Sequence, residues 1–252
     1  MANSILRKVL NLFSKEQIDF DFNQIEHTID YRFNNKKLLL KAFKHRSYLS
    51  ISKENQLESN ERLEFLGDAI LDHATTIFLY TTYPQKTEGQ LSQMKSVLVS
   101  RPVLAEICKN LNIGRFLLID RGEEKTGGRS RKSNLANLFE ALIGAIYLDG
   151  GFRAADQFLN NTLLINFKEI LEKKKYFNYK SILLEYSQSK GMGSPIYSTI
   201  VESGPDHDKK FVIEVGLNSK QNAKGTGRSK KVAEQEAARN LLKKISPQLI
   251  EK

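Results

Sequence analysis

Apolar residues recur every three or four positions through most of residues 25–175, the spacing of helices that each bury one face. Residues 25–50, IEHTIDYRFNNKKLLLKAFKHRSYLS, predict two helices separated at Asn34 and Asn35. Residues 60–71, NERLEFLGDAIL, predict a third, and 91–99 and 103–111 two more. Pro84 and Gly89 mark turns in between. The polar, glycine-bearing stretch 122–133, GEEKTGGRSRKS, reads as a flexible basic surface loop. Beyond it lie an apolar helix over 134–149 and a last one from 154 to about 174, ending in the run KKK. From residue 178 the period changes. Residues 179–190 are helical, 196–202 and 210–217 alternate like strands around a turn at 204–208, 220–227 reads as a third strand, and 232–245 is a helix. The expected architecture is an all-helical domain over 25–175 followed by a small α-β-β-β-α domain over 178–246. Residues 1–24 form an extension with a short amphipathic helix and a polar connector.

Within 60–71 the charges are not scattered. On a helix Glu61, Glu64 and Asp68 fall at roughly 0°, 300° and 340°, one acidic stripe, while Leu63, Leu66 and Ile70 lie opposite and are expected to be the buried face. Like charges on adjacent turns repel by a few tenths of a kcal/mol per pair, so the stripe calls for a cation. A solvated acidic face is the competing reading. The helix over 134–149 tips the balance: Leu135, Leu138, Phe139, Leu142, Ile143 and Ile146 are spaced for deep burial, yet Glu140 sits among them one turn after Asn137. An ionised carboxylate there needs a cationic partner or must be neutralised. A salt bridge would serve; one metal shared with Glu61, Glu64 and Asp68 accounts for both anomalies at once. Gly67 and Gly144, each costing about 1 kcal/mol relative to Ala inside a helix, fit a close helix crossing between the two acidic segments.

Composition narrows the partners. The net charge of +10 and a pI near 9.5 favour an anionic partner, nucleic acid first and an anionic membrane surface second. The single cysteine, Cys108, forms no intramolecular disulfide, and His27, His45, His73 and His207 have no zinc-ligand spacing. Arg7 and Lys8 interrupt any signal-peptide core, and no run approaches the about 18 apolar residues of a membrane span, which leaves a soluble cytoplasmic protein with no membrane contact as the expectation. Lys224, Arg228, Lys230 and Lys231 gather at the start of the last helix. That is electrostatically unfavourable at a positive dipole end but suited to gripping phosphates.

The motif NERLEFLGDAIL, with HRSY at 45–48, TEG at 87–89, GG at 127–128 and ALIGAIYLD at 141–149, resembles the bacterial ribonuclease III family. KGTGRSKKVAEQEAARNLL at 224–242 resembles the double-stranded-RNA-binding domain that follows the nuclease domain there. The resemblance implies an endoribonuclease that works as a homodimer on double-stranded RNA. It depends on Mg²⁺, with Mn²⁺ as a substitute, and leaves 5′-phosphate and 3′-hydroxyl ends with short 3′ overhangs; ribosomal RNA precursors are the first substrates to consider. By position it implies Glu64, Asp68, Asn137 and Glu140 as metal ligands, Asp68 and Glu140 being closest to the chemistry. It further implies Glu61 and Glu88 as secondary acids and Phe65 at the dimer interface. Gln188 and His207 would reach the minor grooves, with Lys224, Lys230 and Lys231 on the phosphates between.

One position departs from the family pattern: Asn137 stands where an aspartate is usual. Its amide oxygen still suits Mg²⁺, but the site loses one negative charge. The rival reading is a non-catalytic duplex-RNA-binding protein that keeps the nuclease fold as a scaffold. Asn137 is its only support, and retention of five acids argues against it.

Overall fold

The computed structural model describes residues 20–173, 176–205, 208–217 and 221–250. The expected amphipathic helix near the amino terminus and His207 lie outside the described residues. Two compact units emerge by contact: the described part of Met1–Phe78 with Arg101–Ile165, and Leu79–Ser100 with Asn166–Lys252.

The first unit is helical. Helix α1 (Phe22–Ile29) starts on Asp21, whose carboxylate accepts from Gln24 N, and α2 (Lys36–Ala42) starts on Asn35, which caps Lys37 N. The break at Asn34 and Asn35 is thus a helix cap, as the pattern predicts. Both of these amides donate to the carboxylate of Asp149, at 2.9 and 2.7 Å, and Tyr31 Oη donates to it at 2.9 Å. These bonds hold the Asp149 carboxyl below the ordinary carboxylate range against the opposing effect of burial. A short 3₁₀ turn (Arg46–Tyr48) and α3 (Leu49–Ser52) lead to α4 (Glu61–Thr82), the acidic helix. Asn60 seats its start: buried, it donates its backbone N–H to Lys44 O at 2.8 Å and its side-chain amide to Ala42 O at 3.2 Å, while its carbonyl accepts from Glu64 N.

The turn expected at Gly89 is instead the first turn of α5 (Glu88–Leu98). Thr87 and Gln90 form a reciprocal capping box, which starts the helix three residues earlier than apolar spacing alone suggests. Helix α6 (Arg101–Asn110) buries Val103, Leu104, Ile107 and Cys108 and packs along the long helix α8 (Lys132–Thr162).

The stretch 122–133 is not a flexible loop. It holds α7 (Arg121–Lys125), capped by Asp120, and a 3₁₀ turn at Gly128–Ser130. Arg129 donates to the carbonyls of Arg115 and Leu117 and to Glu124, and Arg131 pairs with Glu123. Glu123 also accepts from buried Asn134 at 2.7 Å. Arginines that read as a free basic surface are therefore spent on internal bonds.

Helix α8 buries all six apolar residues expected of it and is broken at Gly151 (φ +75°), which separates the two helices the pattern predicts there. The stretch Lys132–Glu172, which begins with α8, holds an 18-residue window of mean hydropathy 1.2, long and apolar enough by length and composition alone to cross a membrane. More than half of that window is buried inside the protein, as in the core helix of a helical domain.

In the second unit, α5 packs with α9 (Phe167–Glu172). The carboxy-terminal part is α10 (Tyr179–Ser189), β1 (Ile196–Ser203), β2 (Lys210–Leu217), β3 (Gln221–Gly227) and α11 (Lys230–Ile245). The sheet is antiparallel in the order β1-β2-β3, with a register shift between Thr199 and Val201. Val215, Leu217 and Ala223 from the sheet meet Leu183, Ala237, Ala238 and Leu241 from the helices in one core. A Cβ on Gly225 would stand 2.1 Å from Ala237 N, so α11 lies directly on the backbone of β3. The α-β-β-β-α order predicted from the sequence is the order observed. The last helix begins at Lys230 rather than 232, which brings Lys230 and Lys231 into its first turn.

Candidate active site and nucleic-acid interface

Helices α4 and α8 cross at their glycines. A Cβ on Gly67 would meet Glu140 O at 1.7 Å, and one on Gly144 would meet Leu63 O at 2.3 Å. Backbones this close leave no room for side chains at the crossing, and residues one turn away from it are brought face to face. The buried ridge of α4 is Leu63, Gly67, Leu71 and Ala74, whereas Leu66 and Ile70, expected to be buried, are only half-buried. The shift of the contact arc toward Gly67 carries the acidic stripe nearer to α8.

Glu64, Asp68 and Glu140 are thereby brought near enough to act on one another electrostatically, with Asn137 one turn before Glu140. Burial, then the charges of Asp68 and Glu64, push the Glu140 carboxyl up to about 7, and Arg101 opposes the rise. The Glu64 carboxyl is also raised, first by burial and then by Glu61 and Asp68; Arg101 and a hydrogen bond from the Asn137 side chain work the other way. Glu61, at the edge, takes a bond from Ser59 Oγ at 3.3 Å and lies 3.8 Å from the Arg46 guanidinium. Glu88 belongs to the second unit, where it accepts from Ser92 Oγ at 2.7 Å and contributes to raising Glu185, after burial.

Sequence reasoning asked for a cation and did not find Arg101. Its only signal was a position at the start of α6, whose apolar face packs on α8. His45, in the HRSY motif, is structural: its Nδ1 caps Ser47 N, and Ser47 Oγ in turn accepts from Asp120 N at 3.1 Å.

Do these residues fit a divalent metal? The donor set is all oxygen, three carboxylates and one amide, the preference of a hard cation such as Mg²⁺. Burial first, and then the carboxylates of Asp68 and Glu64, keep the Glu140 carboxyl raised, a burden that a divalent cation would relieve. Among the described residues no three acidic, histidine or cysteine side chains converge in ion-holding geometry. The fit is therefore one of chemistry and charge.

Phe65 projects from α4 with 82% of its surface exposed, a large apolar side chain left uncovered by the described residues. On the carboxy-terminal fold, Gln188 is exposed near the end of α10, and Gly204 (φ +95°) makes the turn after β1. Lys224, Lys230 and Lys231 are exposed along the end of β3 and the first turn of α11. Lys230 is already paired with Glu202 at 3.2 Å, and Lys224 stands 4.0 Å from Glu214.

Residues 35–167 match the family model described as Ribonuclease-III-like, and residues 179–245 match the double-stranded RNA binding motif. The chain is 42% identical to Ribonuclease 3 of Anoxybacillus flavithermus over 92% of its own length and 97% of the relative's. It is 41% identical to that of Halalkalibacterium halodurans over 95% and 90%. Among solved structures, the nuclease domain of Ribonuclease III from Campylobacter jejuni superposes with a TM-score of 0.54 at 36% identity, covering 59% of this chain and 99% of that one. In that relative, a region involved in dimer formation shows structural flexibility.

Proposed function

The chain belongs to the ribonuclease III family of double-stranded-RNA-binding endoribonucleases, and we propose that it hydrolyses phosphodiester bonds of duplex RNA with Mg²⁺, leaving 5′-phosphate and 3′-hydroxyl ends with short 3′ overhangs. The observation that carries this reading is the assembly of Glu64, Asp68 and Glu140 from two helices at a glycine crossing, with Glu140 pushed up to about 7. We assign residues 25–175 to the nuclease domain and 178–246 to the RNA-binding domain. Ribosomal RNA precursors in the cytoplasm are the proposed substrates.

Glu64, Asp68 and Glu140 would hold the metal, with the Asn137 amide oxygen as a further ligand. Mg²⁺, when bound, lowers the pKa of a coordinated water and stabilises charge on the phosphoryl oxygens. The chain's own contribution is placement: α4 and α8 hold the carboxylates on rigid elements, Asn60 anchors the start of α4, and Arg101 supplies positive charge beside them. Exposed Phe65 suits a second copy of the chain, so that two centres would cut the two strands. Glu61 lies at the edge of the cluster as a secondary acid, and we keep Glu88 in the same role toward the substrate. In the tail, Gln188 and the turn containing His207 would read minor grooves across about 16 base pairs, with the three lysines on the phosphates between them.

Incubation with a long RNA duplex tests the reading: short duplexes with 5′-phosphate ends are expected with Mg²⁺ or Mn²⁺ and none in EDTA. Intact RNA throughout, with binding preserved, would favour the scaffold reading.

The lysines give a second expected result. Replacing Lys224, Lys230 and Lys231 together by alanine should weaken duplex binding and flatten the slope of log K against log salt by up to about 3, near 0.9 per phosphate contact. Of the single variants, K230A should have the smallest effect, because RNA must first displace Glu202 from that ammonium. Salt titrations by fluorescence anisotropy measure both.

A further inference from the structure

Lys230, one of the three lysines assigned to the RNA phosphates, already faces an anion. Glu202, exposed near the end of β1, places Oε2 3.2 Å from Lys230 Nζ and Oε1 3.4 Å from Lys209 Nζ. Sheet register and helix packing fix this arrangement. Glu202 pairs across the sheet with Phe211, whose ring centroid lies 5.8 Å from the Lys230 ammonium, and Phe211 pairs in turn with Gly227. A Cβ on Gly227 would stand 2.6 Å from Ala233 N, so the first turn of α11 is pressed onto the end of β3 and carries Lys230 toward the carboxylate. Two oxygens of one carboxylate on two ammoniums reproduce the charge-assisted contacts that a phosphate would make there.

We propose that Glu202 is an internal stand-in for phosphate, which occupies Lys230 and Lys209 in the RNA-free protein and must be displaced when duplex RNA binds. It holds the affinity of the tail below what its lysines alone would give. Because exposed ion pairs are weak, the displacement lowers affinity by a modest factor and does not block binding. This rests on the reading of Lys230 as a phosphate contact and states what that contact competes with.

The test uses the full chain and a labelled RNA duplex of about 20 base pairs, longer than the span of one such domain, followed by fluorescence anisotropy in EDTA. Glu202→Gln is expected to tighten binding about three- to tenfold and to steepen the slope of log K against log salt by up to about 0.9. Glu202→Ala, which leaves no amide beside Lys230, should tighten it at least as much. Glu236→Gln is the control: Glu236 pairs with Arg239 at 3.5 Å, so the same charge is removed elsewhere on α11, and the change in affinity should stay below about twofold because salt screens it. Lys230→Ala, mild in the parent, is expected to cost severalfold more in the E202Q background. Unchanged or weaker binding in both Glu202 variants, an equal gain in E236Q, or additive effects of K230A and E202Q overturns the inference alone. If the triple alanine variant of Lys224, Lys230 and Lys231 binds the duplex as tightly as the parent, the phosphate reading falls and this inference with it.

Discussion

Glu140→Gln is expected to abolish cleavage, by about 10³-fold or more, and at the same time to make the metal-free protein more stable. Both effects come from the same carboxylate. The folded protein holds the Glu140 proton up to about 7, whereas the unfolded chain releases it near 4.5. Between those values the folded state binds more protons than the unfolded one, so unfolding free energy falls as pH rises through the window. The parent therefore carries a full penalty above pH 7 and none below about 4.5. Glutamine does not titrate and escapes it. Since Glu140 is only partly buried, solvent screening reduces the gain to on the order of 2 kcal/mol at pH 8. Melting curves in EDTA at pH 5 and pH 8 check this: E140Q should exceed the parent at pH 8 and converge with it at pH 5. Adding Mg²⁺ should stabilise the parent more than the variant. An E140Q protein no more stable than the parent at pH 8 would mean that the carboxylate is relieved by something within the chain.

Gly67→Ala is the second large effect, and helix propensity predicts the wrong sign for it. In an exposed helix, alanine would gain about 1 kcal/mol over glycine. Here the new methyl would lie 1.7 Å from Glu140 O and 2.9 Å from Gly144 N, both backbone atoms of α8 that no rotamer change can move. The helices must separate, at a cost of at least about 3 kcal/mol. Separation also moves Glu140 away from Glu64 and Asp68, and a displacement of about 1 Å is enough to lose about 10² in rate. Gly89→Ala is the control. Gly89 lies in the first turn of α5 with nothing within 4 Å of an added Cβ, so stability there should hold or rise slightly. Chemical denaturation of both variants, with cleavage rates, separates the local from the tertiary effect. A G67A protein as stable and active as the parent would show that the crossing is looser than these distances.

Much of the site was legible because its components recur at helical spacing. Glu64 and Asp68 are one turn apart, Asn137 and Glu140 likewise, and periodicity alone puts each pair on one face. Glu140 among buried apolar residues was an anomaly visible without coordinates, and two glycines inside helices pointed to the close crossing. Leu66 and Ile70 were misplaced for a related reason. A hydrophobicity pattern gives glycine no weight, yet Gly67 is the centre of the buried ridge, since contact there is made by backbone.

What the chain determines locally is its element order, its helix caps, the α-β-β-β-α tail and the residue types available to bind metal and phosphate, because these depend on neighbours within about four positions. Which charges meet is settled only when distant segments come together. Arg101 reaches Glu64 and Glu140 from the start of another helix, Asp149 gathers the amides of Asn34 and Asn35, Arg129 and Arg131 are bonded to groups within the protein, and Glu202 holds Lys230. Each of these pairings joins residues whose separation along the chain carries no periodic signal, and electrostatic energy depends on distance in space. The acidic stripe of α4 could be read from the sequence; the charge that balances it could not.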